Sequence, residues 1–482
     1  AALAAYPNLG CTGGPYKVQE VWMATGVVCA GNEDIYPFLE DVLTEIIELF
    51  PSTYIHIGGD EATKKYWEKC PKCQAKIHQL GLKADAEYSA EHKLQSYMTS
   101  RFEKFLSSKG RRLIGWDEIL EGGLAPNATV MSWQGEAGGI KSAKMHHDVI
   151  MAPNTHIYLD YHQSTSPAEG MAFPGYNPID RAYSFEPVSD QLTDDEKKYI
   201  IGVQANLWTE FVATPERAEY MVLPRLAAVS ELQWVMPENK NYDRFINSLY
   251  DYVKLYSVLG YNHSGEPFSV KPKVDVDSTT SVRTLTLTTF NNAPIYYTLD
   301  GSEPTTTSTK YELPLTIDKT TMVKAAAYRD NKMSDVYVES FAISKATDKA
   351  VSVFTMPIPL IFSKEKGASV LTDGYNGNLI IFGGDWWCGL AGAFGVVIDM
   401  KEPTEFSTIK ANMRKFMGVT QTLCKIEVSD DDKSYTVVYE KPLDLKDKLL
   451  DISLDKQTKR FIKITVAPED KGAILCDEIL IE

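Results

Sequence analysis

Two neighbouring acids, Asp60 and Glu61, come directly after a short apolar run and two glycines in the stretch YIHIGGDEAT, residues 54–63. Adjacent carboxylates repel each other, and glycines weaken a strand, although they permit a sharp turn at its end. Because neither feature favours stability, we interpret the pair as functional. The alternative interpretation is an isolated Asp-Glu pair on a solvated surface.

Tryptophans and further acids follow the other predicted strands of this region. They occur in Trp116-Asp117-Glu118, Ser132-Trp133-Gln134, Tyr158-Leu159-Asp160 and Trp208-Thr209-Glu210. Reactive groups of α/β proteins cluster at the carboxyl ends of strands. Indole faces suit the apolar face of a pyranose ring, and carboxylates bind its hydroxyls. A single tryptophan at a strand end is more often core packing, but the repeated pattern indicates glycoside chemistry.

Alternating strands and helices must position these groups. Residues 33–50 place apolar side chains at helical spacing, Pro51 ends that helix, and 53–57 has the pattern of a buried strand. The same pattern predicts strands at 111–116, 129–133, 148–153 and 200–208, and helices near 87–108, 138–147, 215–234 and 241–257. This alternation predicts an α/β fold with a parallel sheet covered by helices. A closed barrel needs eight strands, so five strands form either an open sheet or part of a barrel.

Five short motifs resemble, in order, those of glycoside hydrolase family 20, the β-N-acetylhexosaminidases. They are HIGGDE (56–61), GWDEI (115–119), SWQG (132–135), YLD (158–160) and LWTE (207–210). The resemblance implies a (β/α)8 barrel of the TIM type. It also implies an exo-acting enzyme that removes terminal β-linked N-acetylglucosamine or N-acetylgalactosamine. Such enzymes retain configuration by substrate assistance, through an oxazolinium intermediate.

The resemblance also assigns roles to individual residues. By analogy, Glu61 protonates the leaving oxygen and then activates water, while Asp60 orients the substrate's 2-acetamido group. An ionised Asp60 should raise the pKa of Glu61, as a general acid requires. Tyr158 would donate a hydrogen bond to the acetamide oxygen. The remaining implied substrate-binding residues are Trp116 and Trp133 around the acetyl group, Trp208 under the ring, and Asp160 and Glu210 at the outer hydroxyls.

One departure from the family pattern concerns the beginning of the sequence. Family members carry, upstream, an arginine that binds the sugar hydroxyls and a PEIDMPGH-like segment, whereas this sequence begins AALAAYP. We therefore expect the first three barrel strands to be missing from this chain. The alternative function is a catalytically inactive glycan-binding protein with a truncated barrel.

The sequence changes character after about residue 262. Residues 1–262 form the predicted catalytic domain, which is a partial barrel. Residues 268–345, with YYTLDGSEPT, resemble the small chitobiase-type β-domain of some bacterial hexosaminidases. Residues 346–482, with LTDGYNG and RFIKITV, resemble a discoidin-like (galactose-binding-like) jelly roll. Trp386 and Trp387 are its candidate sugar-binding aromatics, with at least one of them expected in the core.

The cysteines leave several uses open. Cys70-Pro-Lys-Cys73 is typical of half a zinc ribbon, but the sequence has no second CxxC. We therefore predict a local disulfide or two free thiols there, and a loop-bridging disulfide between Cys11 and Cys29 in an oxidising compartment. His56 is expected to be a satisfied core histidine rather than a ligand. No metal and no cofactor are predicted.

Charge and hydropathy restrict the partners. The net charge of −16 is spread along the chain, which argues against nucleic acid as a partner. No apolar stretch is long enough to span a membrane. We expect glycans with terminal β-N-acetylhexosamine as partners and a periplasmic or extracellular location in a bacterium. The oligomeric state is left open.

Overall fold

Strands and helices alternate through the first half of the chain, as the sequence pattern predicts. The computed structural model describes residues 2–18, 26–277, 279–378, 380–416, 422–443, 449–468 and 472–482. The helices are α1 Ala2–Ala5, α2 Ile35–Leu49, α3 Lys65–Lys69, α4 Pro71–Gln79, α5 Ala90–Ser108, α6 Ala137–Lys144, α7 Asn154–Ile157, α8 Ile179–Ser184, α9 Pro215–Val222, α10 Arg225–Trp234 and α11 Tyr242–Leu259. The strands of this half are β1 Tyr54–His56, β2 Arg112–Trp116, β3 Thr129–Ser132, β4 Val149–Met151, β5 Tyr161–His162, β6 Phe173–Tyr176 and β7 Ile200–Val203.

Two compact units divide the chain. The first contains the residues up to Tyr158, together with Arg181–Asn206 and Ala228–Lys240, and the second contains Leu159–Asp180, Leu207–Ala227 and Asn241–Glu482. These units do not follow the boundaries predicted at residues 262 and 345. The three-domain division therefore stays a prediction.

The first unit is built on a five-stranded parallel sheet in the order β1-β2-β3-β4-β7. The number of strands agrees with the sequence prediction, and the described residues form this open sheet rather than a closed barrel of eight strands. Helices α5 and α6 pack on it, and α5 begins at an N-cap, Ser89, whose hydroxyl accepts the N–H of His92. Because all five strands are parallel, their carboxyl ends lie along one edge, and within the first unit Asp60, Glu118 and Trp133 follow strands β1, β2 and β3 there.

One predicted helix, at 215–234, is two helices in the structure. It is interrupted between α9 and α10, where Leu223 adopts an extended conformation before Pro224. Proline lacks the N–H that a continuous helix needs and disfavours the helical conformation of the residue before it. Pro224 is a helix-breaking signal in the sequence, but the helical periodicity on both sides of it led to the prediction of one continuous helix.

The β-rich remainder of the chain lies in the second unit. Its strands are β8 Lys271–Val276, β9 Arg283–Thr288, β10 Ile295–Thr298, β11 Thr309–Lys310, β12 Leu315–Ile317, β13 Thr321–Arg329, β14 Lys332–Met333, β15 Tyr337–Phe341, β16 Ala350–Val353, β17 Met356–Pro357, β18 Cys388–Ala391, β19 Phe394–Phe416, β20 Thr422–Ser429, β21 Thr436–Leu443, β22 Leu449–Pro468 and β23 Ala473–Ile481. Strands β8 to β15 form a three-stranded and a five-stranded sheet, and β16 to β23 form one eight-stranded sheet. Of the tryptophan pair, Trp387 is fully buried and donates its Nε1–H to the carbonyl of Asn378, while Trp386 is half-buried.

Among the described residues, no helix has both the length and the apolar character that crossing a bilayer requires.

A buried arginine, Arg225 at the start of α10, organises the chain around Asp160 within the second unit. Its guanidinium is fully buried and donates to four backbone carbonyls, those of Leu159, Tyr161, Asn177 and Met221, at 2.6 to 3.1 Å. A charged donor that serves four carbonyls holds these segments together more firmly than separate neutral hydrogen bonds would.

Replacement of Arg225 by Met should therefore destabilise the second unit by at least about 3 kcal/mol, because it leaves several buried carbonyls without a donor. Urea denaturation followed by circular dichroism measures the change. Arg217→Met is the matched control, because Arg217 is less buried and donates to two carbonyls, those of Glu169 and Met171. Equal losses in the two variants would contradict the role assigned to Arg225.

Candidate active site

The two adjacent acids lie on a sharp turn that follows β1. Gly58 and Gly59 adopt φ values of 73° and 98°, and Glu61 itself adopts 49°. Glycine takes up such angles without cost, whereas a glutamate in the left-handed region stores strain that the surrounding structure must offset. The sequence interpretation of the glycines as turn residues is thus correct.

Contacts from two neighbouring elements fix this turn. The side-chain amide of Gln95, on α5, donates to the carbonyl of Gly59 at 2.8 Å. A Cβ atom on Gly59 would lie 2.7 Å from the Cγ2 of Ile119, so the close packing there excludes any side chain. The backbone that carries Asp60 and Glu61 is therefore held from both sides.

The carboxyl group of Glu61 has a raised pKa. Partial burial is the largest cause, and the negative charges of Asp60 and Glu118 add to it. The direction agrees with the expectation from the sequence, but that expectation named only Asp60. Burial and Glu118 contribute because the fold brings the end of β2 next to the turn.

Glu118 joins the turn at Glu61 to the residues that follow β3, two segments that lie far apart in the sequence. It is buried and accepts hydrogen bonds from the backbone N–H of Glu61 at 3.4 Å, the indole N–H of Trp133 at 2.9 Å and the side-chain amide of Gln134 at 3.0 Å. The sequence analysis quoted Glu118 but gave it no role. Its signal was present, since Asp117-Glu118 is a second adjacent acid pair at a strand end.

Asp117 is directed to a different set of groups. It accepts hydrogen bonds from the hydroxyl of Ser132 and the backbone N–H of Gln134, both at 3.3 Å. Burial, followed by the charge of Glu118, raises its pKa. The two acids after β2 therefore both bind the residues that follow β3, and they fix the position of Trp133.

The aromatic residues of the first unit extend this arrangement. Tyr158 is buried, and its ring stacks on that of Trp133 with centroids 6.3 Å apart and an angle of 16° between planes. Trp116 is also buried and contacts the ring of His56, with centroids 4.9 Å apart. His56 accepts the N–H of Gly58 on Nδ1, so it is satisfied as predicted, but it is exposed and not part of the core. Contacts through Glu118 and Trp133 thus link Glu61 to Tyr158.

Asp160, Trp208 and Glu210 belong to the second unit, where they lie near one another. Asp160 is buried, and burial raises its pKa to about 7, against the opposing effects of the Trp208 backbone N–H and the positive charge of Arg225. The negative charge of Glu210 raises that pKa further. Trp208 is 43% exposed, and Glu210 is exposed as well. The backbone of Trp208 thus lies close to a buried acid, while the residue is partly exposed to solvent.

Four cysteines form a separate cluster in the first unit. The sulfur atoms of Cys11, Cys29, Cys70 and Cys73 all lie within 4.8 Å of one another. The sequence prediction was one local pair at Cys70 and Cys73 and a separate pair at Cys11 and Cys29. This interpretation is wrong in its grouping, because the tertiary fold brings both pairs to one point.

Comparisons with known proteins point to carbohydrate chemistry. Residues 1–237 match the profile of the glycosyl hydrolase family 20 catalytic domain, and residues 285–341 match a domain described as Fn3 associated. A β-hexosaminidase of Porphyromonas gingivalis is 44% identical over 327 residues, which is 67% of this chain and 41% of the relative. A β-hexosaminidase of Vibrio furnissii is 39% identical over 198 residues, 40% of this chain and 31% of the relative.

Solved structures include similar proteins too. An exo β-N-acetylglucosaminidase from Vibrio harveyi in complex with N-acetylglucosamine has a TM-score of 0.48 and 28% identity, over 55% of this chain and 41% of that one. This chain spans less than half the length of each of these relatives.

The environment of Glu61 predicts how its titration responds to substitution. Asp60→Asn removes one negative charge next to Glu61, so the pKa of Glu61 should fall towards its ordinary value. Glu118→Gln should lower it as well, for the same reason. Carbon-13 NMR titration of side-chain-labelled protein measures the pKa directly.

Glu68→Gln is the control for these variants, since Glu68 is exposed on α3. It should leave the titration of Glu61 unchanged. An unchanged pKa of Glu61 in both Asp60→Asn and Glu118→Gln would show that these charges do not act on it.

Proposed function

We propose that this protein removes terminal β-linked N-acetylhexosamine from glycans, because residues 1–237 match the glycosyl hydrolase family 20 catalytic domain. The reaction is exo-acting and retains the configuration of the anomeric carbon. The observation that carries the proposal is the turn after β1, which holds the adjacent acids Asp60 and Glu61 and raises the pKa of Glu61.

Glu61 is the proposed general acid and base. A carboxyl group with a raised pKa keeps its proton closer to neutral pH, so it can protonate the leaving oxygen when the glycosidic bond breaks. Once ionised, the same carboxylate accepts a proton from the water that completes the reaction. The backbone N–H of Glu61 is bound by Glu118, which supports a fixed position for this side chain.

The nucleophile in this proposal comes from the substrate. Most retaining glycosidases use two carboxyl groups about 5 Å apart on either side of the scissile bond. Asp60 and Glu61 are neighbours on one chain segment, so their carboxyl groups are poorly placed to lie on either side of the scissile bond. Instead, the oxygen of the 2-acetamido group attacks the anomeric carbon, and the bond to the leaving oxygen breaks as Glu61 protonates it. Asp60 orients the acetamide and stabilises the positive charge on its nitrogen.

Water then attacks the anomeric carbon of the oxazolinium ion. Glu61 takes the proton of this water, and the bond between the anomeric carbon and the acetamide oxygen breaks, which regenerates the acetamido group. Glu61 ends the cycle protonated, as it began, so no cofactor is consumed. Two inversions at the anomeric carbon give overall retention.

Aromatic and polar residues hold the sugar in this proposal. Tyr158 donates a hydrogen bond to the acetamide oxygen, and the stacking of Tyr158 on Trp133 supports a shared acetyl pocket with Trp116. The resemblance assigns Trp208 to the pyranose ring and Asp160 and Glu210 to its outer hydroxyls, and all three residues lie in the second unit. These assignments follow the motif positions residue by residue.

The proposal extends to the β-rich regions after residue 270 and to the location of the protein. The strands between 271 and 341 would correspond to a chitobiase-type β-domain, and the eight-stranded sheet from 350 to 481 to a discoidin-like jelly roll. Half-buried Trp386 is the remaining candidate there for a sugar contact. The partners are glycans with terminal N-acetylhexosamine, and the predicted location is periplasmic or extracellular.

Glu61→Gln should reduce kcat for an aryl β-N-acetylglucosaminide by about 100- to 10,000-fold, because glutamine cannot transfer a proton. The release of the aryl alcohol in steady-state assays measures this effect. Glu68→Gln, on the exposed surface of α3, should retain the wild-type rate.

A wild-type protein that binds N-acetylglucosamine without cleaving the aryl glycoside would favour the alternative, a non-catalytic glycan-binding protein. Equal rates for wild type and Glu61→Gln would contradict the role of Glu61, even if hydrolysis occurs.

A further inference from the structure

The four-cysteine cluster of the first unit has the ligands and the geometry of a metal centre. Sulfur-to-sulfur distances are 3.6 Å from Cys29 to Cys70, 3.6 Å from Cys29 to Cys73 and 4.0 Å from Cys11 to Cys73. Zinc bound by four thiolates has Zn–S bonds of about 2.3 Å, and a regular tetrahedron with such bonds has ligand atoms about 3.8 Å apart. The observed separations bracket that value.

From this geometry we propose that Cys11, Cys29, Cys70 and Cys73 bind one structural zinc ion in a tetrahedral tetrathiolate site. Tetrahedral sulfur ligation is typical of zinc and of iron among the first-row metals. Zinc is the commoner ion in isolated four-cysteine sites, and a four-ligand set leaves no open position for a substrate. The site is therefore structural and separate from the chemistry of Glu61.

Burial supports a closed site. Cys29, Cys70 and Cys73 are at most 4% exposed, and Cys11 is partly buried. All four are free cysteines, so each can supply a thiolate. Hydrogen bonds between thiols stabilise the fold no more than hydrophobic packing at the same positions would. They therefore do not explain why four thiols lie at one buried point, whereas a bound cation makes their proximity favourable.

Backbone groups are placed to support thiolates. Cys70 is the N-cap of α4, and Cys73 lies in the first turn, where the positive end of the helix dipole stabilises negative charge. The backbone N–H of Gly31 donates to the sulfurs of Cys29 and Cys73. Outer hydrogen bonds of this kind orient metal ligands and moderate their charge.

The packing around Gly31 explains how distant segments reach one point. A Cβ atom on Gly31 would lie 2.3 Å from the backbone of Lys72, so only glycine allows this approach. The N–H of Cys29 donates to the carbonyl of Leu9 at 2.8 Å, which brings the segment of Cys11 alongside. The indole of Trp67 donates to the carbonyl of Val28 at 2.9 Å.

The ion would join two segments, those of Cys11 and Cys29, to the stretch of chain that begins with Asp60 and Glu61. Trp67 on α3, Cys70 and Cys73 all follow Glu61 on that stretch, and they share a buried cluster with Cys29. A metal that closes such long loops contributes folding free energy, because the ligands must otherwise be held together by the chain alone. The inferred role of the ion is to hold the stretch of chain that follows the turn at Gly58–Glu61 against the segments of Cys11 and Cys29.

Metal analysis of the full chain tests the proposal. The purified wild-type protein, dialysed to remove loosely bound metal, should contain one zinc per chain by plasma mass spectrometry. A mercurial thiol reagent should release that zinc to a colorimetric chelator. Cobalt substitution should give the sulfur-to-cobalt charge-transfer bands and strong visible bands of a tetrahedral thiolate site.

Paired variants localise the ion. Cys70→Ala/Cys73→Ala should contain no zinc, while the matched pair Cys388→Ala/Cys476→Ala should retain it, because those two buried cysteines lie on β18 and β23 of the second unit and are not members of the cluster. The melting temperature of the wild type should fall when a strong chelator removes the ion. Measurements on the wild type still decide the question if the cluster variant does not fold.

Three results would overturn the proposal. They are a wild-type protein free of metal with all seven thiols reactive after unfolding, an intact mass that shows disulfides among these four cysteines, and iron in place of zinc. None of these readouts depends on glycosidase activity, so the zinc site and the proposed function can fail independently.

Discussion

The arrangement of the candidate site depends on the turn at Gly58–Glu61, which must present two like charges side by side at the end of β1. The positive φ of Glu61 and the repulsion from Asp60 both cost free energy. Contacts from other elements offset this cost: Gln95 binds the turn from α5, and Glu118 binds the N–H of Glu61 from the end of β2. The parallel alignment of β1 and β2 is what brings Glu118 within reach.

Glu118 transmits this constraint to the aromatic part of the site. Because it also accepts the indole N–H of Trp133, the position of the aromatic wall is tied to that of the acid turn. Tyr158 stacks on the same indole. The buried carboxylate of Glu118 thus adds to the raised pKa of Glu61, after burial and Asp60, and it also holds the indole on which the phenol of Tyr158 stacks. The parallel sheet aligns the segments that follow its strands, and the side chains on those segments carry the functional groups.

Local sequence signals predicted the parts of this protein that depend on local physics. The five parallel strands follow from apolar runs between helical patterns, and the turn follows from Gly58 and Gly59. The grouping of the cysteines could not be predicted in this way, because Cys11 and Cys73 are distant in the chain and only the tertiary fold brings their sulfurs to 4.0 Å. The contacts that Glu118 makes with Glu61 and Trp133 were missed for the same reason, although the adjacent acids Asp117 and Glu118 at a strand end were a local signal. The helix break before Pro224 also had a local signal, the proline itself, but the helical periodicity around it favoured a single helix.

The most direct test of the central claim, that a turn of adjacent acids serves a reaction whose nucleophile is the substrate's own acetamide, is a rate series with modified substrates. Aryl β-N-acetylglucosaminides whose acetyl group carries one, two or three fluorine atoms have progressively weaker acetamide nucleophiles. If the claim holds, kcat/KM of the wild-type protein falls steeply and steadily along this series. Rates that do not depend on fluorination, or hydrolysis of the corresponding β-glucoside at a similar rate, would contradict it.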